Sequence, residues 1–187
     1  MRDPVRFPVA VFLDRDGTVN VDKHYTHRVA DLAFEDGALQ ALKRLAEYPV
    51  RVILVTNQSG VALGYYTEED MRAFHRELVT RVHRHGGRID GIYYCPHLER
   101  TGCGCSKPEP GLLRQAAFDF GLDLEQCWMV GDKRSDVAAG KAVGCKTVLV
   151  RTGKAGRWEE DVDAVADFTR DDLYQAVQLI WPALVIP

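Results

Sequence analysis

Short apolar runs, four of them followed by polar or charged residues, recur along the chain and predict the strands of a parallel sheet. The five runs cover residues 9–13, 50–55, 89–94, 126–130 and 145–150. Apolar runs of this length are typical of strands that are covered on both faces. The carboxyl ends of parallel strands meet at one edge of a sheet, and open α/β folds bind their ligands there.

Between these runs the apolar residues follow helical spacing. The apolar positions from 38 to 46 predict a helix that ends before Pro49, and Thr67 with the acids behind it predicts a second helix to about residue 85. Further helices are predicted for residues 110–120 and 137–143, and an acidic linker with a closing helix for residues 162–180. We interpret His75 and His83, which lie on the second helix, as solvated surface histidines.

The alternation of strands and helices predicts an α/β fold, Rossmann-like and doubly wound, with a mainly parallel five-stranded sheet and helices on both faces. The chain shows no internal repeat and no second domain, so we expect one domain over residues 1–187. The net charge of −3 implies no general attraction to nucleic acid, and no apolar stretch reaches the roughly 20 residues of a membrane span. The N-terminus carries no secretory pattern, so we expect a cytoplasmic protein, and we expect a monomer.

Two aspartates, Asp14 and Asp16, directly follow the first predicted strand. Two carboxylates this close repel each other unless a cation, or a proton on one of them, compensates the charge. An Asp-x-Asp-Gly sequence is also a common turn, so this motif alone leaves both interpretations open.

Polar groups also follow three other predicted strands. Thr56 and Asn57 end the second strand with a hydroxyl and an amide that could hold a phosphate, Asp132 ends the fourth, and the basic segment 151–154 follows the fifth. Asp136 could simply favour the start of a helix. Carboxylates, a hydroxyl, an amide and Lys107 at one sheet edge together predict Mg²⁺-assisted phosphoryl transfer, in which one aspartate attacks phosphorus and another transfers the proton.

A second group of candidate ligands lies in one loop, over residues 95–105. Three thiols and one imidazole, from Cys95, His97, Cys103 and Cys105, form a complete tetrahedral set for a structural Zn²⁺ ion. The alternatives are four unrelated loop residues or a redox thiol pair. We expect this loop to hold Lys107 in place at the mouth of the site, where its charge can neutralise phosphate. Cys127 and Cys145 lie at strand starts and are expected to be small buried residues.

Four motifs of the chain resemble those of the haloacid-dehalogenase superfamily, and the resemblance covers nearly the whole chain. They are Asp14-x-Asp16-Gly17-Thr18, Thr56-Asn57, Lys107-Pro108 and Gly131-Asp132-x-x-x-Asp136. The Tyr-Tyr-Cys-Pro-His and Val-Arg-Thr-Gly-Lys segments resemble, more narrowly, a zinc-loop subgroup of sugar phosphatases. The resemblance implies a fold without a large cap domain, which fits the absence of a long insert in this chain. The implied reaction removes the 7-phosphate of D-glycero-D-manno-heptose 1,7-bisphosphate through an aspartyl-phosphate, as a step toward nucleotide-activated heptose.

The resemblance also implies a role for each matching residue. Asp14 is the implied nucleophile and Asp16 the general acid and base, while Thr56 and Lys107 stabilise the transferring phosphoryl group. The implied Mg²⁺ ligands are Asp14, the Asp16 carbonyl and Asp132, and the implied Zn²⁺ ligands are the four residues of the 95–105 loop. The implied substrate contacts are Asp22, Lys23, His24, Tyr25, Asn57, Gln58, Ser59, Ser106 and Lys133.

One position departs from the family pattern. Ser106 stands where some relatives carry an arginine before the motif lysine, so a bidentate phosphate contact is absent there. The preferred anomer and the pathway branch therefore stay open. A histidinol-phosphate phosphatase, which has a similar zinc loop, is the nearest alternative, and a non-catalytic zinc-stabilised binding module is a second one.

Overall fold

Six parallel strands form one sheet, in the order β3-β2-β1-β4-β5-β6. A computed structural model describes residues 9–98, 101–153 and 166–184 of the chain. The strands are β1 Ala10–Leu13, β2 Arg51–Asn57, β3 Gly91–Cys95, β4 Trp128–Gly131, β5 Lys146–Val150 and β6 Phe168–Arg170. The chain runs outward from β1 in one direction to β3 and then in the other to β6, so β1 and β4 flank the point where ligands bind in such sheets.

The predicted parallel sheet is confirmed, but the predicted number of five strands was wrong. The sixth strand, β6, has only three residues and pairs with β5 from Val148↔Phe168 to Val150↔Arg170. Its Phe-Thr-Arg sequence has no apolar run, because an edge strand does not need to be buried on both faces. The pattern of the sequence therefore gave no strand signal there, and part of the predicted acidic linker lies outside the described residues.

The described residues form five α-helices, of which four connect consecutive strands and the fifth follows β6; the bounds of the first three follow the predicted spacing closely. The helices are α1 Ala38–Ala46, α2 Glu68–Arg84, α3 Gly111–Phe120, α4 Arg134–Lys141 and α5 Leu173–Leu184. The α2 helix begins at a capping box between Thr67 and Asp70, as predicted. The α4 helix begins three residues before the predicted start, because the Asp136 carboxylate accepts a hydrogen bond from the backbone N–H of Lys133 at 3.0 Å.

Two apolar layers cover the two faces of the sheet. Along β1, Val11 and Leu13 face the layer that contains α1, α2 and α5, whereas Ala10 and Phe12 face the layer that contains α3 and α4. All four side chains are fully buried. This alternation confirms the predicted helices on both faces and leaves the carboxyl edge as the polar part of the sheet. No helix among the described residues is long and apolar enough to cross a membrane.

Candidate active site

A cavity of about 200 Å³ opens at the carboxyl edge of the sheet, beside the ends of β1, β2 and β4. Most of the predicted catalytic and substrate-binding side chains line it. The lining residues are Asp14, Asp16, Asp22, His24, Tyr25, Asn57, Gln58, Ser59, Tyr66, Lys107, Lys133, Ser135 and Asp136. Lys23, Thr56 and Ser106 are not among them. The convergence expected from the strand ends is thus present in the fold.

Asp14 lies between two lysines at the buried end of the cavity. Lys107 Nζ donates to Asp14 Oδ1 at 2.8 Å, and Lys133 Nζ lies 3.3 Å from Asp14 Oδ2. Burial by itself would raise the pKa of Asp14, but the charges of Lys107 and Lys133 outweigh it and hold this pKa well below its usual range. Asp14 is therefore an anion at neutral pH, which is the form that a nucleophile needs.

Asp136 is a buried partner of Lys107, in addition to capping α4. Its Oδ1 lies 2.6 Å from Lys107 Nζ, and the same ammonium donates to the Val55 carbonyl at 2.7 Å. Burial by itself would lower the pKa of Lys107, but the charges of Asp136 and Asp14 outweigh it and raise this pKa above its usual value, so Lys107 stays charged. Burial, with the neighbouring charge of Asp14, raises the pKa of Asp136. The helix-start interpretation of Asp136 is correct but incomplete, since its second oxygen fixes Lys107.

The Lys133 ammonium lies among three oxygens that belong to three of the predicted cation ligands. Its Nζ is 3.3 Å from Asp14 Oδ2, 3.2 Å from the Asp16 carbonyl oxygen and 3.6 Å from Asp132 Oδ1. Burial lowers the pKa of Lys133, but the surrounding aspartates, Asp14 first, raise it well above its usual value. The three oxygens thus define one position that favours a positive charge.

Asp16 is held by four hydrogen-bond donors. Arg15 donates from Nε and Nη2 to the two carboxylate oxygens at 3.0 and 2.9 Å, Asn20 Nδ2 donates at 2.9 Å, and Gln58 Nε2 at 3.0 Å. Arg15 is itself fully buried and lies 4.7 Å above the ring of Phe74. The carboxylate of Asp16 is therefore fixed in direction at the wall of the cavity.

His75 supports this arrangement from α2, and its interpretation as a solvated histidine was wrong. Its side chain is buried, and Arg15 Nη1 lies 3.0 Å from His75 Nε2. Burial, together with the Arg15 charge, lowers the pKa of His75 to about 3. His75 is therefore neutral and accepts the hydrogen bond from the guanidinium. His83 is exposed, as expected.

Residues at the end of β2 contribute a set of side-chain hydrogen bonds around Gln58 and a contact between Asn57 and a neighbouring backbone segment. Gln58 Nε2 also donates to Thr56 Oγ1 at 2.8 Å, and Tyr66 donates to Gln58 Oε1 at 2.8 Å, which fixes the direction of the amide. Asn57 exchanges two hydrogen bonds with the backbone of Lys107, at 3.0 and 2.9 Å. The predicted amide of Asn57 thus lines the cavity, whereas the Thr56 hydroxyl contacts Gln58 and does not line it. Asn57 also fixes the segment that carries Lys107.

The predicted substrate segment 22–25 is divided between the cavity and the surface. Asp22, His24 and Tyr25 line the cavity, whereas Lys23 points away and lies 3.7 Å from Asp31. His24 and Tyr25 have φ angles of 60° and 55°, a left-handed conformation that such residues seldom adopt. Backbone strain of this kind is concentrated at binding sites.

The basic segment after β5 lies close to the loop after β1 rather than beside the cavity. Thr152 Oγ1 donates to the Gly17 carbonyl at 2.7 Å. Lys154, the last residue of the predicted segment, lies outside the described residues. Ser106 is buried next to Lys107 and is not among the cavity-lining residues.

The Cys95, His97, Cys103 and Cys105 side chains converge, so that their potential ligand atoms all lie within 4.8 Å of one another. Cys105 Sγ is 3.0 Å from Cys95 Sγ, 3.5 Å from Cys103 Sγ and 3.3 Å from His97 Nδ1. Backbone N–H groups of Cys105 and Ser106 lower the pKa of the Cys103 thiol to about 6. None of these thiols forms a disulfide. The geometry and the donor types fit one tetrahedral metal ion.

Three residues of the site carried no recognisable signal in the sequence. Arg15 and Asn20 flank the aspartates but do not themselves belong to a ligand-type pattern, and Tyr66 lies eight residues from its partner Gln58. The position of Arg15 directly before Asp16 was the one available hint. A charged residue between two aspartates must be solvated or paired, and here it is paired.

Comparison with known proteins agrees with this geometry. A family model described as HAD-hydrolase-like matches residues 104–176. The chain is 46% identical over 154 residues to D-glycero-β-D-manno-heptose-1,7-bisphosphate 7-phosphatase of Haemophilus ducreyi, covering 78% of this chain and 85% of the relative. It is 42% identical over 173 residues to the protein of the same name from Yersinia pestis, covering 88% and 90%.

Solved structures show the same likeness. The structure of D,D-heptose 1,7-bisphosphate phosphatase from B. bronchiseptica, complexed with magnesium and phosphate, superposes with a TM-score of 0.86 at 33% identity, and the match covers 93% of this chain and 98% of that one. The fold and the site define a hydrolase of the haloacid-dehalogenase class. Within that class, the chain belongs to the family of D-glycero-β-D-manno-heptose-1,7-bisphosphate 7-phosphatases.

Proposed function

We propose that this chain is a Mg²⁺-dependent phosphomonoesterase that removes the 7-phosphate of D-glycero-β-D-manno-heptose 1,7-bisphosphate. One observation carries the proposal: an anionic aspartate and a position that favours a cation share the buried end of one cavity. The names of the relatives support the substrate, and the magnesium and phosphate in the B. bronchiseptica structure support the metal and the reaction class.

The residues at the cation position fit Mg²⁺. The ion prefers hard oxygen ligands, and the Lys133 ammonium already lies among Asp14 Oδ2, the Asp16 carbonyl and Asp132 Oδ1. These three groups would hold Mg²⁺, which when bound neutralises the negative charge of the phosphoryl group. Asp136 is a poorer ligand although it lies nearby, because Lys107 and the start of α4 already use both of its oxygens.

Asp14 is the proposed nucleophile. Its carboxylate attacks the phosphorus atom of the 7-phosphate, a new O–P bond forms to Asp14, and the bond between phosphorus and the sugar oxygen breaks. Lys107, fixed by Asp14, Asp136 and the Val55 carbonyl, stabilises the charge on the transferring group. Thr56 is the second group proposed to stabilise this charge, through the hydroxyl that accepts a hydrogen bond from Gln58 Nε2.

Asp16 is the proposed general acid and base. In the first step its carboxyl group donates a proton to the leaving sugar oxygen. In the second step its carboxylate takes a proton from the water that attacks the aspartyl-phosphate, which releases inorganic phosphate and restores Asp14. Arg15, Asn20 and Gln58 each donate at least one hydrogen bond to an oxygen of Asp16, an arrangement that suits the carboxylate form between the two steps.

The remaining predicted contacts are proposed to bind the heptose and its second phosphate. The proposed set consists of Asp22, Lys23, His24, Tyr25, Asn57, Gln58, Ser59, Ser106 and Lys133. Seven residues of this set line the cavity, which supports their role directly, and Lys133 is the lysine among these seven. When a metal ion takes the position of its ammonium, Lys133 is free to turn toward the substrate phosphate.

A structural Zn²⁺ ion is proposed for the Cys95, His97, Cys103 and Cys105 cluster. Three thiolates and one imidazole complete a tetrahedron and leave no open position for a substrate, so this ion would stabilise the loop rather than take part in hydrolysis. The loop leads directly into Lys107, and its proposed role is to hold that lysine in place.

Phosphate release from defined substrates tests the proposal. The enzyme is assayed with the β and α anomers of D-glycero-D-manno-heptose 1,7-bisphosphate and with histidinol phosphate, each with Mg²⁺ and with EDTA. We expect the highest kcat/KM for the β anomer, with heptose 1-phosphate as the product, and no turnover in EDTA. A higher kcat/KM for histidinol phosphate would replace the proposed substrate, and no turnover of any phosphomonoester would favour a non-catalytic binding module.

A further inference from the structure

The side chain of Asp132 lies between two glycines that belong to different loops. Gly17 follows β1 and Gly153 follows β5, and these two strands flank β4 and its Asp132. A Cβ atom on Gly153 would overlap Oδ2 of Asp132 and would lie 2.6 Å from the Cα of Gly17. A Cβ atom on Gly17 would overlap the same oxygen and lie 2.8 Å from Asp132 Cγ. Only glycine fits on either side of this carboxylate.

The two oxygens of Asp132 consequently have different surroundings. Oδ2 lies in the slot between the glycines, whereas Oδ1 is 3.6 Å from Lys133 Nζ at the cation position. The carboxylate is fully buried. Because the slot holds one oxygen, rotation of the side chain is blocked and the other oxygen is directed toward the cation position.

The segment that carries Gly153 is anchored on both sides. Thr152 Oγ1 donates to the Gly17 carbonyl at 2.7 Å and thus joins the two walls of the slot. The backbone N–H of Arg151 donates to the Arg170 carbonyl at 2.9 Å, which continues the β5–β6 pairing. The φ angles of Gly17 and Gly153 are +86° and +60°, so both walls use a left-handed backbone.

We propose that Gly153 and Thr152 are positioning residues for the metal ligand Asp132. The segment after β5 is basic and follows a strand end, and its described part builds the slot that directs Asp132 Oδ1. This inference rests on the proposed function, because it requires Mg²⁺ to bind at the position among Asp14, Asp16 and Asp132. Outer contacts that orient a metal ligand typically affect metal affinity about 10- to 100-fold.

The test is direct Mg²⁺ binding by isothermal titration calorimetry, without substrate, on the full chain. Gly153→Ala is compared with Gly121→Ala, a matched control at the end of α3. Gly121 has a φ angle of +62°, and a Cβ atom there meets nothing within 4 Å. The two glycines have nearly the same φ angle, but only a Cβ atom at residue 153 meets Asp132. We expect the Mg²⁺ Kd to rise about tenfold or more in Gly153→Ala and to stay unchanged in Gly121→Ala.

A milder pair of variants keeps the test valid if Gly153→Ala does not fold. Thr152→Val removes the hydroxyl that joins the two walls, and Thr152→Ser retains it. We expect Thr152→Val to weaken Mg²⁺ binding by about three- to tenfold, which corresponds to the loss of one hydrogen bond. Thr152→Ser should bind Mg²⁺ with the affinity of the wild type. In both affected variants, kcat should recover when Mg²⁺ is raised to saturation.

The outcomes separate this inference from the proposed function. If the wild-type chain binds no Mg²⁺, the metal part of the proposed function fails. If the wild type binds Mg²⁺ and the Kd is unchanged in Gly153→Ala and Thr152→Val, the positioning role is overturned. A rise in the substrate KM with an unchanged Mg²⁺ Kd would also overturn it, in favour of a direct substrate contact.

Discussion

Two clusters of potential metal ligands occur in the described part of the chain, and they differ in how the chain assembles them. The Cys95, His97, Cys103 and Cys105 side chains come from one short segment, in two pairs that are each only two residues apart. The oxygen cluster joins Asp14 at the end of β1 with Asp132 and Asp136 beyond β4, and the Asp14–Lys133 pair spans 119 residues. One cluster is thus a local structure and the other depends on the whole sheet.

The two clusters also differ in charge compensation. The carboxylates of the oxygen cluster are buried, and two lysine ammonium groups lie among them. The thiol cluster is partly exposed, and its thiols lie close to one another. Carboxylates that already lie beside ammonium groups suit a metal ion and a substrate that bind and dissociate. A complete set of four soft ligands suits an ion that is bound permanently.

The largest expected effect separates chemistry from structure. Asp14→Asn keeps an oxygen near Lys107 but removes the nucleophile, so phosphate release from the heptose bisphosphate should fall about 10⁴-fold or more. The zinc content and the circular dichroism spectrum should match those of the wild type, since the thiol cluster is built separately. Residual activity within tenfold of the wild type would show that Asp14 is not the nucleophile.

An intermediate effect is expected at the thiol cluster. Cys105→Ser should abolish the expected one Zn²⁺ per chain and lower the free energy of unfolding by about 3 kcal/mol or more, roughly 6–12 °C in Tm. Elemental analysis and thermal unfolding measure both effects. Cys145→Ala, which removes a buried thiol outside the cluster, is the control and should keep its zinc. A Cys105→Ser variant that retains zinc and Tm would contradict the structural role.

The smallest effect is a pH dependence of stability at the support of Asp16. The pKa of His75 is about 3 in the folded chain and near 6.5 when unfolded, so its stabilising contribution is complete above pH 6.5 and is lost as the pH falls toward 3. Between these two pKa values the free energy of unfolding falls by about 1.4 kcal/mol for each pH unit of acidification. When the pH is lowered from 7 to 5, the free energy of unfolding of His75→Gln should therefore rise by about 2 kcal/mol relative to that of the wild type, as measured by denaturant unfolding.

Glutamine is chosen for this variant because its side-chain oxygen can still accept the hydrogen bond from Arg15. His83→Gln, on the exposed face of the same helix, is the matched control for loss of a histidine. A constant stability difference between wild type and His75→Gln across this pH range would mean that His75 is not held in its neutral form in the folded chain.

The elements that the sequence predicted well are those with a strong local pattern. Strands β1, β2, β4 and β5 and helices α1, α2 and α3 follow apolar runs or helical spacing, and the start of α2 follows its capping box. The edge strand β6 was missed because three half-exposed residues carry no apolar pattern. Burial of His75 was missed because its cause is Arg15, which lies 60 residues away.

The sequence by itself determined the types of ligand and their order: aspartates after β1 and β4, a hydroxyl and an amide at the end of β2, and a complete soft-ligand set in one loop. Only the tertiary structure decided what each group contacts. It placed Lys133 among the cation-binding oxygens, paired Asp136 with Lys107, and brought Gly153 into contact with Asp132. The physical reason is that side-chain type and local spacing are properties of the chain, whereas burial and charge pairing depend on which strand ends the sheet brings together.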